Sequence, residues 1–167
     1  MLAAACSIGS SSGTTTTTTS ASTSTTRTTS ASSAGATVRT ADVPGVGTVL
    51  VNASGHTLYL FTTDKQSTST CMGACLAAWP GLTATGQPTG GAGVTSSLLG
   101  TVRDTNGTVQ VTYNKWPLYT FVGDSAAGEA KGQGAKTFGG IWWVVDVHGT
   151  AVTTTASSSA PAGGGGY

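Results

Sequence analysis

Hydrophobic positions are nearly absent from the first part of the chain and then return in short alternating runs. From Ser7 to Thr37 almost every residue is Ser, Thr, Ala or Gly, with Ile8 the single large aliphatic side chain and Arg27 the single charge. Such a segment cannot bury enough apolar surface to offset chain entropy, so residues 7–37 are expected to form a disordered tether with a reach of roughly 30 Å. The stretch 156–167, which ends in GGGGY, is expected to be a second disordered tail. Between them, residues 38–155 alternate as strands do. Val46 to Asn52 and Thr57 to Thr62 flank an NASG turn and predict one hairpin. Gly100 to Arg103 and Thr108 to Tyr113 flank DTNG, and a turn at Asn114 and Lys115 leads into Leu118 to Val122. A last pair, Ile141 to Val147 and Thr150 to Thr154, is joined across His148 and Gly149. Leu76 to Trp79 and Ser96 to Leu99 each suit a single helical turn. The expectation is a small, mostly β single domain with about six to eight strands and a sandwich- or barrel-like core.

The core carries an internal repeat. Leu58, Tyr59, Phe61 and Asp64 recur without a gap as Leu118, Tyr119, Phe121 and Asp124, and upstream Val51 matches Val111. The two repeats, about 46–80 and 100–155, therefore build related hairpins, and approximate two-fold symmetry follows as an expectation. Alternation places Tyr59 and Phe61 on one side of their strand and Leu58 and Leu60 on the other. If both faces are dry, the tyrosine hydroxyl needs a polar partner. Asp64 is placed either to accept from that hydroxyl or to cap the loop amides behind it.

Three motifs, YLFTTD at Tyr59 to Asp64, C-x-x-x-C-x-x-x-W-P at Cys71 to Pro80 and YTFVGD at Tyr119 to Asp124, resemble those of the bacterial secreted-repeat lipoproteins. That family is defined by a Tyr-x-aromatic-x-x-Asp motif and has no known biochemical function. The segment from Gly132 to Val145 resembles its closing stretch. The resemblance implies an exported, membrane-anchored, β-rich module. In keeping with it, the opening MLAAAC resembles a lipobox with Cys6 as the lipidated residue, and residues 1–6 read as a residual signal. The membrane is then a partner through the lipid on Cys6.

Cysteine accounts for the remaining covalent chemistry. Three cysteines leave one without an intramolecular partner, which suits Cys6. Cys71 and Cys75 lie one helical turn apart, within disulfide reach, and an exported protein favours that bridge. The alternative is a redox or copper site in which Cys71, Cys75 and Met72 offer soft sulfur ligands. No other cofactor is expected.

Charge narrows the partners. Only 8% of the 167 residues are charged and the net charge is +1, so neither a nucleic-acid footprint nor a polybasic membrane patch is present. No G-x-S-x-G elbow occurs, Glu129 is the single glutamate, and a carboxylate dyad would need Asp64 and Asp124 to meet. His56 and His148 read as solvated loop residues. Gly128 to Gly140 reads as a tightly turned loop, and with the loops at Asp64 and Asp124 it is a candidate ligand region. Trp116, Trp142 and Trp143 are candidates for an aromatic surface facing an envelope protein, a glycan or a small ligand, since neighbouring Trp142 and Trp143 point to opposite faces of a strand. The leading expectation is a non-enzymatic binding module on the outer side of the membrane.

Overall fold

A computed structural model describes residues 35–104 and 106–154. Cys6, most of the predicted tether and the predicted tail lie outside the described residues. The order of elements is β1 (Thr37–Val43), β2 (Gly47–Asn52), β3 (Tyr59–Phe61), α1 (Ala74–Ala78), β4 (Thr89–Gly90), a 3-10 turn (Ser96–Leu98), β5 (Leu99–Arg103), β6 (Val109–Tyr113), β7 (Trp116–Pro117), β8 (Lys136–Thr137) and β9 (Gly140–Val144). These strands form three small sheets, β2-β1-β4, β3-β9-β8 and β5-β6-β7, and none closes into a barrel.

One turn design recurs at three hairpins. Asn52, Asp104 and Asp146 each begin a stretch of the form Asx-x-x-Gly. The Oδ1 of each accepts backbone N–H bonds from the residues two and four positions on, at 2.8 to 3.1 Å. The fourth residue, Gly55, Gly107 or Gly149, has φ of 84°, 83° or 76°, where a Cβ would be strained. Its N–H closes onto the Asx carbonyl. The Asn114–Lys115 turn instead holds both residues at positive φ, 48° and 68°, as a two-residue hairpin loop requires.

The segments between turns depart from the predicted pairings. The hairpin at Asn52 starts as expected, with Val51 bridging Thr57, but β3 then leaves β2 and pairs with β9, Tyr59 opposite Val144 and Phe61 opposite Trp142. Leu118 to Val122, which bridges both Tyr59 and Gly81 through Tyr119, and Thr150 to Thr154, which bridges Val145 through Ala151, have isolated bridges instead of forming full strands. Near the second of these, the Gln133 side chain accepts from the Val144 N–H and donates to the Val152 carbonyl, so a side chain takes over part of the ladder. β1 is a seven-residue strand in register with β2 from Val38–Asn52 to Val43–Gly47, so the first strand starts at the last residue of the expected tether and precedes the first predicted hairpin.

Two apolar clusters fill the interior, and β3 divides them. Tyr59 and Phe61 join Trp79, Tyr119, Trp142 and the two cysteines on one side. Leu58 and Leu60 join Leu50, Val111, Leu118 and Val145 on the other. Both faces of β3 are therefore dry, and the hydroxyl of Tyr59 has to find its partner inside the protein.

Candidate functional site

The two motif copies meet at a local two-fold axis. The Tyr59 N–H donates to the Tyr119 carbonyl at 2.9 Å, and the Tyr119 N–H donates to the Tyr59 carbonyl at 3.0 Å. Because this bridge is antiparallel, each chain segment carries its acidic loop past the other copy's tyrosine. The Tyr59 hydroxyl accordingly donates to Asp124 Oδ2 at 2.6 Å, and the Tyr119 hydroxyl to Asp64 Oδ2 at 2.6 Å. Asp64 thus accepts a phenol bond as the motif suggested, but from Tyr119 and not from the tyrosine of its own repeat. Its other oxygen takes the Thr70 N–H at 2.7 Å and the Thr70 hydroxyl at 2.8 Å. Asp124 does the same with the Lys131 N–H at 2.8 Å. Each aspartate therefore fastens its own loop and the opposite repeat together.

Aromatic rings repeat this exchange. Phe61 stacks on Trp142 with centroids 4.1 Å apart, Trp142 on Trp79 at 4.0 Å, and Trp79 on Phe121 at 4.3 Å. Tyr59 meets Trp79 edge-on at 5.2 Å, and Tyr119 meets Trp142 at 5.1 Å. Trp79 and Trp142 are thus structural equivalents, each lying against the phenylalanine of the other repeat. Sequence reading missed this pair because the loop before Trp142 is longer, 20 residues separating Tyr59 from Trp79 and 23 separating Tyr119 from Trp142. The WP that closes the cysteine motif was the available signal. Gly132 admits the stack: a Cβ there would lie 2.5 Å from the Trp79 ring.

Burial governs the electrostatics. It pushes the phenols of Tyr59 and Tyr119 above their ordinary value, and the bonds to Asp124 and Asp64 add to the shift. Burial also raises the Asp64 carboxyl, against the hydrogen bonds from Tyr119 and Thr70. With both aspartates under 5% exposed and both oxygens of each engaged, they are built as structural acceptors, unlike a solvent-facing acid–base pair. Outside the core, the Lys131 ammonium, 2.8 Å away, helps to hold Glu129 down to about 2.

The other candidates separate. Cys71 and Cys75 form a disulfide, Cys75 on α1, with Cα atoms 5.3 Å apart. Both sulfurs are thereby engaged, so the thiolates that the copper alternative needs are present only after reduction. Met72 is 55% exposed beside them, and no group of three His, Cys, Asp or Glu among the described residues is arranged to hold a metal. His56 and His148 sit at the recurrent turns, where they donate their backbone N–H to Asn52 and Asp146.

Of the three tryptophans expected at a ligand surface, Trp142 is wholly buried in the stack. Trp116 and Trp143 are half-buried and line one cleft of about 460 Å³. Asn114, Thr62, Thr150 and Thr153 bring amide and hydroxyl groups to its walls, and no charged side chain lines it. The strand alternation that buries Trp142 is what turns Trp143 outward.

A family model described as a secreted repeat of unknown function matches residues 40–83 and again 100–146, one match for each motif copy. No curated protein and no solved structure matches the chain.

Proposed function

The chain belongs to the family of secreted repeats of unknown function, and from that premise we propose that it is an exported, lipid-anchored binding module for a neutral glycan of the cell envelope. The observation that carries the reading is the Trp116–Trp143 cleft. Indole faces pack against the C–H faces of sugar rings, while amide and hydroxyl groups such as those of Asn114 and Thr153 satisfy sugar hydroxyls. A lining without charge favours a neutral ligand over a phosphorylated or strongly acidic one, since nothing there would offset the desolvation of a charge. The anchor is Cys6, whose setting after MLAAA resembles a lipobox and whose lipid would hold the module at the membrane. No helix among the described residues is long and apolar enough to cross a membrane.

The glycan reading is tested by titrating tryptophan emission with two neutral glycans, chitin oligosaccharides and soluble mannan oligosaccharides, alongside sedimentation with insoluble chitin. Binding by the wild type that is lost in Trp116→Ala and weakened in Trp143→Phe supports it. No saturable response to either glycan sinks it. For the anchor, Cys6→Ser expressed behind a full export signal should move the protein from the membrane to the soluble fraction; retention in the membrane counts against lipidation there.

A further inference from the structure

The aromatic core holds more chemistry than packing requires. Four rings, Phe61, Trp142, Trp79 and Phe121, follow one another at successive spacings of 4.1, 4.0 and 4.3 Å. The central indole pair is parallel to within 1°. Two stacked indoles share a positive charge between their π-systems, so the pair is easier to oxidise than either ring alone. Edge-on to each indole stands a tyrosine whose hydroxyl proton already points at a carboxylate 2.6 Å away. A phenol is hard to oxidise when its proton has nowhere to go, and far easier when a base receives the proton as the electron leaves. The Trp142 indole N–H meets no hydrogen-bond acceptor, so an oxidised Trp142 has no neighbour to take its own proton and stays a cation, a stronger oxidant toward Tyr119 than the neutral indolyl radical would be. The stack also reaches the outside: Phe121 is partly exposed, and Phe61 lines a surface cleft with Met72 and Phe138.

We infer that this core is a reversible one-electron oxidation site, which reduces a high-potential one-electron oxidant at the protein surface and stores the vacancy on Tyr59 or Tyr119. The first step moves one electron from the Trp79–Trp142 pair to the oxidant, a metal complex or an organic radical, which is reduced by one electron. In the second, Tyr59 returns one electron to the indole pair while its phenolic proton passes to Asp124 Oδ2. This leaves a neutral phenoxyl radical, a carboxylic acid and restored indoles. Tyr119 and Asp64 offer the same step on the other side of the axis. An external one-electron reductant resets the site: its electron reduces the phenoxyl, and the proton returns from the aspartic acid. The deeply raised phenols of both tyrosines agree with this coupling, because neither can lose its proton alone in the folded protein.

Flash-quench oxidation of the full chain tests it, with photoexcited tris(bipyridine)ruthenium(II) and hexaammineruthenium(III) as quencher, in a Tyr167→Phe background that removes the tyrosine outside the described residues. Transient absorption should show an indole radical giving way to a phenoxyl radical. Adding Tyr59→Phe and Tyr119→Phe together should abolish the phenoxyl signal and leave the indole radical longer-lived. Asp64→Asn with Asp124→Asn should slow phenoxyl formation at least about tenfold, or about 1.4 kcal/mol in barrier. Should the aspartate variant not fold, deuterated solvent replaces it, and the background protein should form phenoxyl more slowly there. Absence of a phenoxyl radical in the background protein, its persistence in the double phenylalanine variant, or formation at an unchanged rate in both the asparagine variant and deuterated solvent would overturn the inference.

Discussion

Replacing Tyr59 with Phe tests the exchange between repeats at a single oxygen atom. The ring stays, and with it the edge contact to Trp79; only the hydroxyl that donates to Asp124 is lost. Both partners are closed to solvent, at 0% and 4% exposure, so water cannot restore the bond without the core opening. A hydrogen bond to a charged group contributes about 1.5–3 kcal/mol, and stranding a buried acceptor adds part of its desolvation cost, which together place the loss at about 2–4 kcal/mol. Asp124 keeps the Lys131 N–H on its other oxygen, which holds the effect below the upper end of losses seen for a buried charge stripped of its partner. Urea unfolding followed by tryptophan emission reads the change. A double-mutant cycle then assigns it: Tyr59→Phe with Asp124→Asn should show a coupling of about 1.5–3 kcal/mol, whereas Tyr59→Phe with Asp64→Asn should add to within about 0.5 kcal/mol. The reverse pattern, coupling within a repeat and additivity across, would refute the assignment.

Three further outcomes follow from the same geometry. Tyr59 and Tyr119 have folded-state values raised above the unfolded phenol, so their contribution to stability is complete below about pH 10 and is lost as pH climbs through the raised values. Ultraviolet titration of the wild type against the Tyr59→Phe/Tyr119→Phe variant should therefore show these two phenols ionising only together with unfolding; reversible ionisation near pH 10 in the folded protein contradicts it. Asp64 is likewise raised, so its contribution is present below its unfolded value and lost as pH rises, opposite in sign to Glu129 and to Asp146, whose partial burial is outweighed by hydrogen bonds from Thr150 and His148. Asp64→Asn removes the opposing slope, and the loss of stability between about pH 7 and about pH 4 should be larger in the variant than in the wild type; an equal or smaller loss argues against it. Reduction of Cys71–Cys75 opens a loop of only five residues, which the chain-entropy relation values at about 2 kcal/mol; equal urea midpoints with and without dithiothreitol would contradict that figure.

Local elements were legible because their chemistry is local. The NASG and DTNG turns, the Asn114–Lys115 turn, the helical turn expected at Leu76 to Trp79 and found two residues earlier at Ala74–Ala78, and the disulfide all lie within a few residues of the side chains that cause them. Alternation along Leu58 to Phe61 likewise predicted Tyr59 and Phe61 on one side and Leu58 and Leu60 on the other, and the clusters on either side of β3 match it. Longer connections leave no such trace. That β3 pairs with β9, more than 80 residues on, is settled by how the two hairpins pack, and neither strand's pattern differs from that of a strand paired with its neighbour. Thr37 to Val43 was obscured by composition: its buried positions are Val38 and Val43, and Thr37, Thr40 and Ala41 continue the look of the preceding stretch. At the site, the motif named the tyrosines and aspartates. Their partners depended on a symmetry axis that makes each motif complete only in the presence of the other.

That incompleteness bears on ancestry. Reciprocal bonding, in which one residue meets its counterpart's partner and the converse, is the arrangement of an isologous interface between identical subunits. A half-length forebear carrying one Tyr-x-Phe-x-x-Asp segment would have satisfied its buried phenol only by pairing with a second chain, and its folding would have depended on concentration. Tandem duplication turns that encounter into an intramolecular event and frees the two copies to differ. Here the segment that leads to the tryptophan is three residues longer in the second copy than in the first, and the cysteine bridge lies in the first. Divergence of that kind is closed to a homodimer, in which every substitution appears twice.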